Sequence, residues 1–261
     1  MIIDNTEYIK KIEKNIDKID YKKADIWNIF YDNILKKICW NSNAIEGNTL
    51  TLDETIRLID YDETKGNHKY NEYREAKCLY KAIKKYLKYD EKVDIEEKWI
   101  RDVYITIMGE DIYDEAKRTG YRKEAVGVGN IISIDYIAPD YKLIPELMEK
   151  YVRNIKNSIN DNIEMILKNI TYFHIEFERI HPFIDGNGRT GRLILNQMLM
   201  NNNLLPIYFL DNSAYRNSFK IYDNTKDMSK LLHLICVGEI ESINFINELI
   251  EKYDKSNNES K

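Results

Sequence analysis

Three cysteines, four prolines and ten glycines are spread over 261 residues, and each scarcity excludes something. Cys39, Cys78 and Cys236 are far apart, odd in number and without a Cys-x-x-Cys pair. A disulfide framework and a thiolate zinc site are therefore not expected, and a reducing, cytoplasmic compartment is. So few glycines and prolines favour long helices over a many-turned β fold. Basic residues are not in excess: the net charge is -5, so nucleic acid is not an expected partner. No apolar run is long enough to span a bilayer, and no membrane partner is expected. The chain opens Met-Ile-Ile-Asp-Asn-Thr-Glu, meeting charge at once, which is unlike a signal peptide. What is present is 43% hydrophobic and 32% charged residues, the balance of a globular chain.

Hydrophobic periodicity predicts a mainly α fold. Residues 7–20 read as an amphipathic helix through Tyr8, Ile9, Ile12, Ile16 and Ile19. Residues 25–46 read as a second through Ile26, Ile29, Phe30, Ile34, Ile38 and Ile45, stopped by Gly47-Asn48. Thr51-Leu-Asp-Glu54 reads as a capping box opening a short helix. Helices are also expected at 70–88, 95–108, 144–157, 161–180, 188–201, 214–223 and 227–252. Lys81, Lys84, Lys85 and Lys88 fall at helical spacing and read as a solvated face. Between these helices, Ala125 to Gly129 and Ile131 to Ile137 are β-branched and glycine-punctuated, which predicts one small hairpin within 120–138. The polar tail, 254–261, is expected to be frayed and flexible.

The segment His181-Pro-Phe-Ile-Asp-Gly-Asn-Gly-Arg-Thr-Gly-Arg192 concentrates chemistry. Proline disfavours helical angles at the residue before it, so His181 should sit at a break between two apolar helices. A glycine-bearing turn into a helix N-terminus is an anion site, where free N–H groups and the helix dipole favour negative charge. Gly186 and Gly188 would let a phosphate approach the backbone. Arg189 and Arg192, three apart, are neighbours on a helix and can fork onto phosphate oxygens. Asp185 is a hard oxygen ligand suited to Mg²⁺. His181 can take a proton near neutral pH. Any one of these features is commonly structural, but their coincidence in twelve residues describes a phosphate-transfer site. A metal trio of His174, Glu178 and His181 does not follow the His-Glu-x-x-His spacing, and Pro182 breaks the helix at its third member. His174 reads instead as a core residue, and His68 and His233 are assigned no role.

This segment resembles the signature of the Fic family, His-x-Phe-x-Asp/Glu-Gly-Asn-Gly-Arg-x-x-Arg, and matches it at every defined position. The resemblance extends over about residues 95–235. Gly120-Tyr121-Arg122 followed by Val126-Gly127-Val128-Gly129 is similar to the family's flap hairpin. The resemblance implies a helical bundle with one flap, and a core at 95–253 preceded by a helical region at 1–94. It also implies protein adenylyltransferase activity. His181 would deprotonate a Ser, Thr or Tyr hydroxyl, which attacks the α-phosphate of ATP. Asp185 would hold Mg²⁺; Gly186, Asn187 and Gly188 would form the anion hole; Arg189 and Arg192 would steady the β- and γ-phosphates. Phe183 would fix the loop, and Tyr215 would lie near the adenine. The flap, Val126 to Gly129, would bind a protein target by strand addition. Relatives often pair, so a homodimer is an expectation.

Ser42-Asn-Ala-Ile-Glu46-Gly47 is similar to the family's inhibitory motif, placed ahead of the core on the helix at about 25–47. Ser42 and Glu46 are four apart and share a helix face. A glutamate in a last turn is disfavoured by the dipole, which points to an external cation. The resemblance implies that this cation is Arg192 and that pairing inhibits the enzyme. Two other functions fit the same residues. A de-AMPylase, or an enzyme with both activities, would use Glu46 to position water. A nucleotide-gated peptide-binding module would use the flap and ATP without catalysis.

Overall fold

A computed structural model describes residues 2–16, 24–109, 120–129, 134–158 and 162–259. Five helices come first: α1 (Thr6–Ile16), α2 (Ala24–Ile45), α3 (Leu52–Tyr61), α4 (Tyr70–Tyr86) and α5 (Glu97–Met108). Strands β1 (Gly127–Gly129) and β2 (Ile134–Ile137) follow, then a 3₁₀ turn at Tyr141–Leu143. Five more helices complete the chain: α6 (Ile144–Asn157), α7 (Ile163–Ile180), α8 (Asn187–Asn201), α9 (Asn212–Thr225) and α10 (Ser229–Glu259). The mainly α architecture with one hairpin is the fold class the sequence predicts. Residues 17–20 of the expected first helix and 130–133 of the expected hairpin lie outside the described residues.

Local chemistry sets the ends of these helices. Thr51 and Glu54 form the predicted reciprocal capping box of α3. Asn162 caps α7 by accepting from the Met165 N–H. At its other end α7 stops at His181, which adopts the left-handed conformation, φ 48° and ψ 60°. Two expectations are corrected. Ile29, placed on the inward stripe of α2, is 50% exposed, because the helix buries the stripe through Ile26, Phe30, Ile34 and Ile38 instead. The tail, expected to be frayed from 254, continues as helix to Glu259, its residues 251–257 exposed.

The core centres on α7 and α8, which lie against one another. Every residue of α8 is buried except Gly188 and Asn201, which are partly so. The contact with α7 is close because Gly191 has no side chain: a methyl group there would collide with the Glu178 carboxylate and the Phe177 ring. Phe177, Phe183, Tyr104 and Tyr151 are fully buried, each stabilising the fold by roughly 1.5–3 kcal/mol. α2 is part of this core rather than an appendage, since Ile34, Leu35, Ile38, Cys39 and Ile45 are all buried in it.

The hairpin pairs Gly127 with Ile137, Val128 with Tyr136 and Gly129 with Ile134, with a register shift after Val128. Val126 precedes β1, but its carbonyl accepts from Ala138 N–H at 3.1 Å and prolongs the pairing. The hairpin is moored to helices on both sides. Tyr136 donates from its hydroxyl to the Arg179 carbonyl at 3.1 Å, and Lys220 of α9 pairs with Asp135 at 2.9 Å.

Candidate active site

The turn between α7 and α8 is built from within. Asn187 donates from its amide to the Phe183 carbonyl at 2.8 Å and accepts from the Phe183 N–H at 2.9 Å, closing the loop on itself. Phe183 lies flat on Tyr104, ring centroids 3.7 Å apart, so the loop is pinned to α5. Gly186 holds φ 72°, a conformation that disfavours residues with a Cβ. Both polar atoms of the Asn187 side chain are thereby occupied, leaving its backbone N–H for an anion.

His181 is half-buried and donates from Nδ1–H to the Glu178 carbonyl at 3.3 Å. That bond leaves Nε2 as the unprotonated nitrogen. Burial pushes the His181 pKa down to about 4, helped by the positive charges of Arg122 and Arg179 and opposed by the Glu178 carbonyl and Glu46. The ring is therefore neutral at pH 7. It lines a cavity of about 850 Å³ together with Glu46, Gly188, Arg192, Val128, Gly129 and Tyr136.

Arg192 is buried, and α2 engages it closely. Its Nε donates to Ser42 Oγ at 2.8 Å, and one terminal nitrogen donates to the Ser42 carbonyl at 2.9 Å and to Glu46 Oε1 at 2.6 Å. Burial alone would raise the Glu46 pKa; the charge and hydrogen bond of Arg192 outweigh it and hold the carboxyl below its usual range. Glu46 stands just past the end of α2, one residue later than the last turn in which the sequence placed it. Its side chain remains 41% exposed. The approach needs glycine at 188, since a methyl group there would collide with the Glu46 carboxylate and the Arg192 guanidinium.

The structure separates two residues that the sequence grouped with these. Arg189 and Asp185 lie on the other side of the turn. Arg189 is buried 3.6 Å from Asp185 and 4.0 Å from Glu75 of α4, lining a small space with Arg74, Cys78 and Met108. Sharing a helix turn with Arg192 does not give Arg189 the same cavity, because Glu75 and Asp185 draw it the opposite way. Tyr215 stays with the main cavity: it is 3% exposed and packed between Phe209 and Phe219. Its hydroxyl is 2.9 Å from His174 Nε2. It lies against Arg192, 3.5 Å from hydroxyl to guanidinium nitrogen, and lines the same cavity. His174 is a buried core residue, its pKa pushed down to about 3 chiefly by burial, and the His174–Glu178–His181 metal trio is not assembled.

For Mg²⁺, the one suitable donor at the turn is Asp185, with a side chain 69% exposed. No cluster of three metal-binding side chains exists among the described residues. A single exposed carboxylate fits Mg²⁺ that arrives on phosphates and keeps its waters.

Three contacts escaped the sequence reading. Asn41 of α2 clasps the Phe209 backbone, accepting from its N–H at 2.9 Å and donating to its carbonyl at 2.8 Å. Arg216 of α9 donates to the Ile45 carbonyl at 2.9 Å. Arg122 donates from Nε to the His181 carbonyl at 2.8 Å. Two of the three act on backbone carbonyls and the third on both backbone groups of Phe209, which leaves no pattern among side chains to read.

Residues 86–199 match the family model described as Fic/DOC family. A protein of Aquifex aeolicus, named as a probable protein adenylyltransferase, is 29% identical over 73% of this chain and 56% of its own length. Protein adenylyltransferase Fic of Nematostella vectensis is 28% identical over 76% of this chain and 48% of its own. The chain thus spans about half the length of these curated relatives. Among solved structures, a Fic domain containing signaling protein from Bacteroides thetaiotaomicron superposes with a TM-score of 0.83 at 23% identity, covering 94% of this chain and 97% of that one. A Fic-1 structure from C. elegans gives 0.78 at 18% identity, covering 97% and 73%. At these identities the likeness is one of fold.

Proposed function

We propose that this chain is a Fic-type protein adenylyltransferase held in check by its own Glu46, a reading supported by the match of residues 86–199 to the Fic/DOC family model. The observation that carries this reading is the neutral imidazole of His181, its Nδ1–H bound to the Glu178 carbonyl, lining the same cavity as Gly188 and Arg192. A base, an anion-binding turn and a guanidinium around one cavity suit attack by an alcohol on a phosphate.

In this reading ATP lies with its phosphates over the N–H groups of Gly186, Asn187 and Gly188. A Ser, Thr or Tyr hydroxyl of a protein, held beside the hairpin, gives its proton to His181 Nε2. Its oxygen bonds to the α-phosphorus as the bond to the pyrophosphate oxygen breaks. Mg²⁺, held by Asp185 and the nucleotide's phosphates, would offset their negative charge. Arg192 would steady the outer phosphates once free of Glu46. Arg189 contributes positive charge from the far side of the turn and keeps Asp185 in place. The names of the relatives from Aquifex aeolicus and Nematostella vectensis support AMP as the transferred group.

Inhibition follows from two demands on one guanidinium. In the observed state Ser42 and Glu46 occupy donors of Arg192 that outer phosphates would need. The test is the intact mass of the protein, parent and Glu46→Gly, before and after Mg²⁺-ATP. Gain of one or more AMP groups by the variant supports the proposal, and an unchanged mass in both, with ATP binding demonstrated, refutes it.

A second reading draws on the partial exposure of Glu46. A carboxylate that lines the cavity with His181 can also hold a water for the reverse cleavage. Release of AMP from a modified protein incubated without ATP, lost in Glu46→Gly, would support de-AMPylation.

A further inference from the structure

We infer that Arg122 is a positioning residue for His181: its buried guanidinium holds the peptide that aims the imidazole and joins that peptide to both ends of the hairpin. The inference rests on the base assigned to His181 above and extends it to a residue with no other assigned role.

Arg122 is 4% exposed, and its donors go to backbone carbonyls of three separate segments. Nε donates to His181 at 2.8 Å, one terminal nitrogen to Glu124 at 2.8 Å and the other to Pro139 at 2.6 Å. Its own backbone N–H donates to the Pro182 carbonyl at 2.9 Å. No carboxylate forms an ion pair with it among the described residues. Burying a cation without a counter-ion is costly, and burial indeed lowers the Arg122 pKa from its ordinary value, opposed by Asp140. An apolar side chain could fill the volume without that cost. A planar fork with donors in three directions is what the carbonyls require, and a lysine ammonium does not supply it.

The need arises at His181. It is one of four non-glycine residues with positive φ among those described, a conformation that costs on the order of 1 kcal/mol or more and persists only where neighbours impose it. A residue before proline prefers extended angles. Moreover, Pro182 has no N–H, so the 181–182 peptide cannot be fixed by donating a hydrogen bond. Its carbonyl is the available handle, and Arg122 Nε takes it, while the Arg122 N–H takes the next carbonyl along. On the other side, the His181 N–H donates to the Phe177 carbonyl at 3.0 Å. With the peptide held this way, Nδ1 reaches the Glu178 carbonyl and Nε2 is left to accept a proton. If residue 181 relaxed to extended angles, the ring would turn and that bond would be lost.

The other two carbonyls explain why this arginine lies beside the hairpin. Glu124 precedes β1 and Pro139 follows β2, so the guanidinium brackets the hairpin at its base. A segment paired with the hairpin would then be registered against the imidazole through one side chain. Loss of Arg122 should therefore affect the transfer step and leave nucleotide binding, which uses the turn at 186–188, intact.

The experiment uses Glu46→Gly as the active parent and adds Arg122→Lys or Arg122→Ala. The expected result is a fall in kcat of about 100-fold, the scale of a misplaced base, with the ATP Kd by calorimetry within about twofold of the parent. Guanidinium at millimolar concentration should restore part of the kcat of Arg122→Ala and none in Arg122→Lys, whose side chain still fills the slot. The ¹⁵N resonances of the His181 ring should shift from the Nδ1–H tautomer toward a mixture in both variants. An unchanged kcat, or kcat and ATP affinity falling together with the melting temperature, overturns the inference. Should the parent itself show no AMP transfer, the functional reading fails, and the ring resonances still decide on Arg122: an unaltered tautomer in the folded Arg122→Lys protein refutes the positioning role.

Discussion

Arg192 and Glu46 are 146 positions apart in sequence and 2.6 Å apart in space. The contact joins the residue that follows the second helix to the eighth helix at the point where the proposed nucleotide site begins. It is reinforced by Ser42, which offers both its hydroxyl and its carbonyl to the same guanidinium.

Removing the carboxylate should release Arg192 without loosening the helix that carries it. α2 keeps Asn41 on the Phe209 backbone and Arg216 on the Ile45 carbonyl whatever stands at 46. Glu46→Gly is therefore expected to raise self-AMPylation by about tenfold or more, since a penalty of ~1.4 kcal/mol on the productive pose is already a factor of ten. Labelled ATP followed into the protein checks this. Equal labelling of parent and variant would mean that the ion pair does not restrain the enzyme.

His181→Ala in the Glu46→Gly background should lose transfer by about 10²–10⁴-fold, the contribution of a general base. ATP binding should persist, because the turn is closed by Asn187 on Phe183 and not by the imidazole. Calorimetry for binding and intact mass for transfer separate the two. Transfer at the parent's rate would identify a different base.

The site was legible where its chemistry is contiguous. His181, Asp185, the two glycines and both arginines fall within one turn, and Ser42 and Glu46 fall on one helix face. The side of the turn to which each group points was not legible. Arg189 leaves the main cavity because Glu75, on a helix remote in sequence, draws it away. Tyr215 is held against Arg192 by Phe209 and Phe219, a packing outcome that periodicity does not report. Arg122 stood in plain view in Gly120-Tyr121-Arg122, but its partners are carbonyl oxygens, which every residue has. The helices were legible from their apolar stripes. The extension of α10 to Glu259 was not, since residues 254–259 have no such stripe.

The pH dependence of transfer should reveal the environment of His181. An ordinary imidazole titrates near 6.5, so a base of that kind would lose activity below neutrality. Burial, with the charges of Arg122 and Arg179, takes His181 down to about 4. Its basic form, the one that accepts the hydroxyl proton, therefore persists well below pH 6. For Glu46→Gly, kcat/KM should stay level from pH 7 to about 5 and fall along a limb centred near 4. Loss of Glu46 removes a negative charge that raises this pKa, so the variant's limb cannot move upward on that account. A limb centred at 6.5 would place the ring in water.

The anchoring of the loop can be tested through Phe183. Its ring lies parallel to Tyr104 and is fully buried, and its backbone is clasped by Asn187. Phe183→Ala should cost ~3–5 kcal/mol of stability and weaken ATP binding, because the cavity frees the loop that forms the anion site. Phe183→Leu should recover most of the stability and more of the binding. Denaturant melts and calorimetry on both variants check this. Tight ATP binding by a destabilised Phe183→Ala would show that the turn keeps its shape without the stack.

Stability should decline on the alkaline side because of a carboxyl far from the site. Glu239 of α10 is fully buried; it accepts from the Leu205 N–H through one oxygen, and the other has no partner. Burial pushes its pKa up to about 8, against the pull of that N–H. In the unfolded chain the group ionises near 4.5. Between these values the unfolded state releases a proton that the folded state must keep, so rising pH favours unfolding. The stability Glu239 contributes is thus fully present below about pH 4.5 and lost as pH rises through about 8. Glu239→Gln keeps the acceptor for Leu205 and removes the titration. The variant should melt at nearly the parent's temperature at pH 4.5 and about 4 °C or more above it at pH 8.5, given ~2–4 °C per kcal/mol for a chain of this size. Glu178, raised by burial to about 7, remains in the variant and tilts stability the same way, so the alkaline slope is expected to flatten and not vanish. A constant difference in melting temperature across the range would show that Glu239 keeps one protonation state in both folded and unfolded chains.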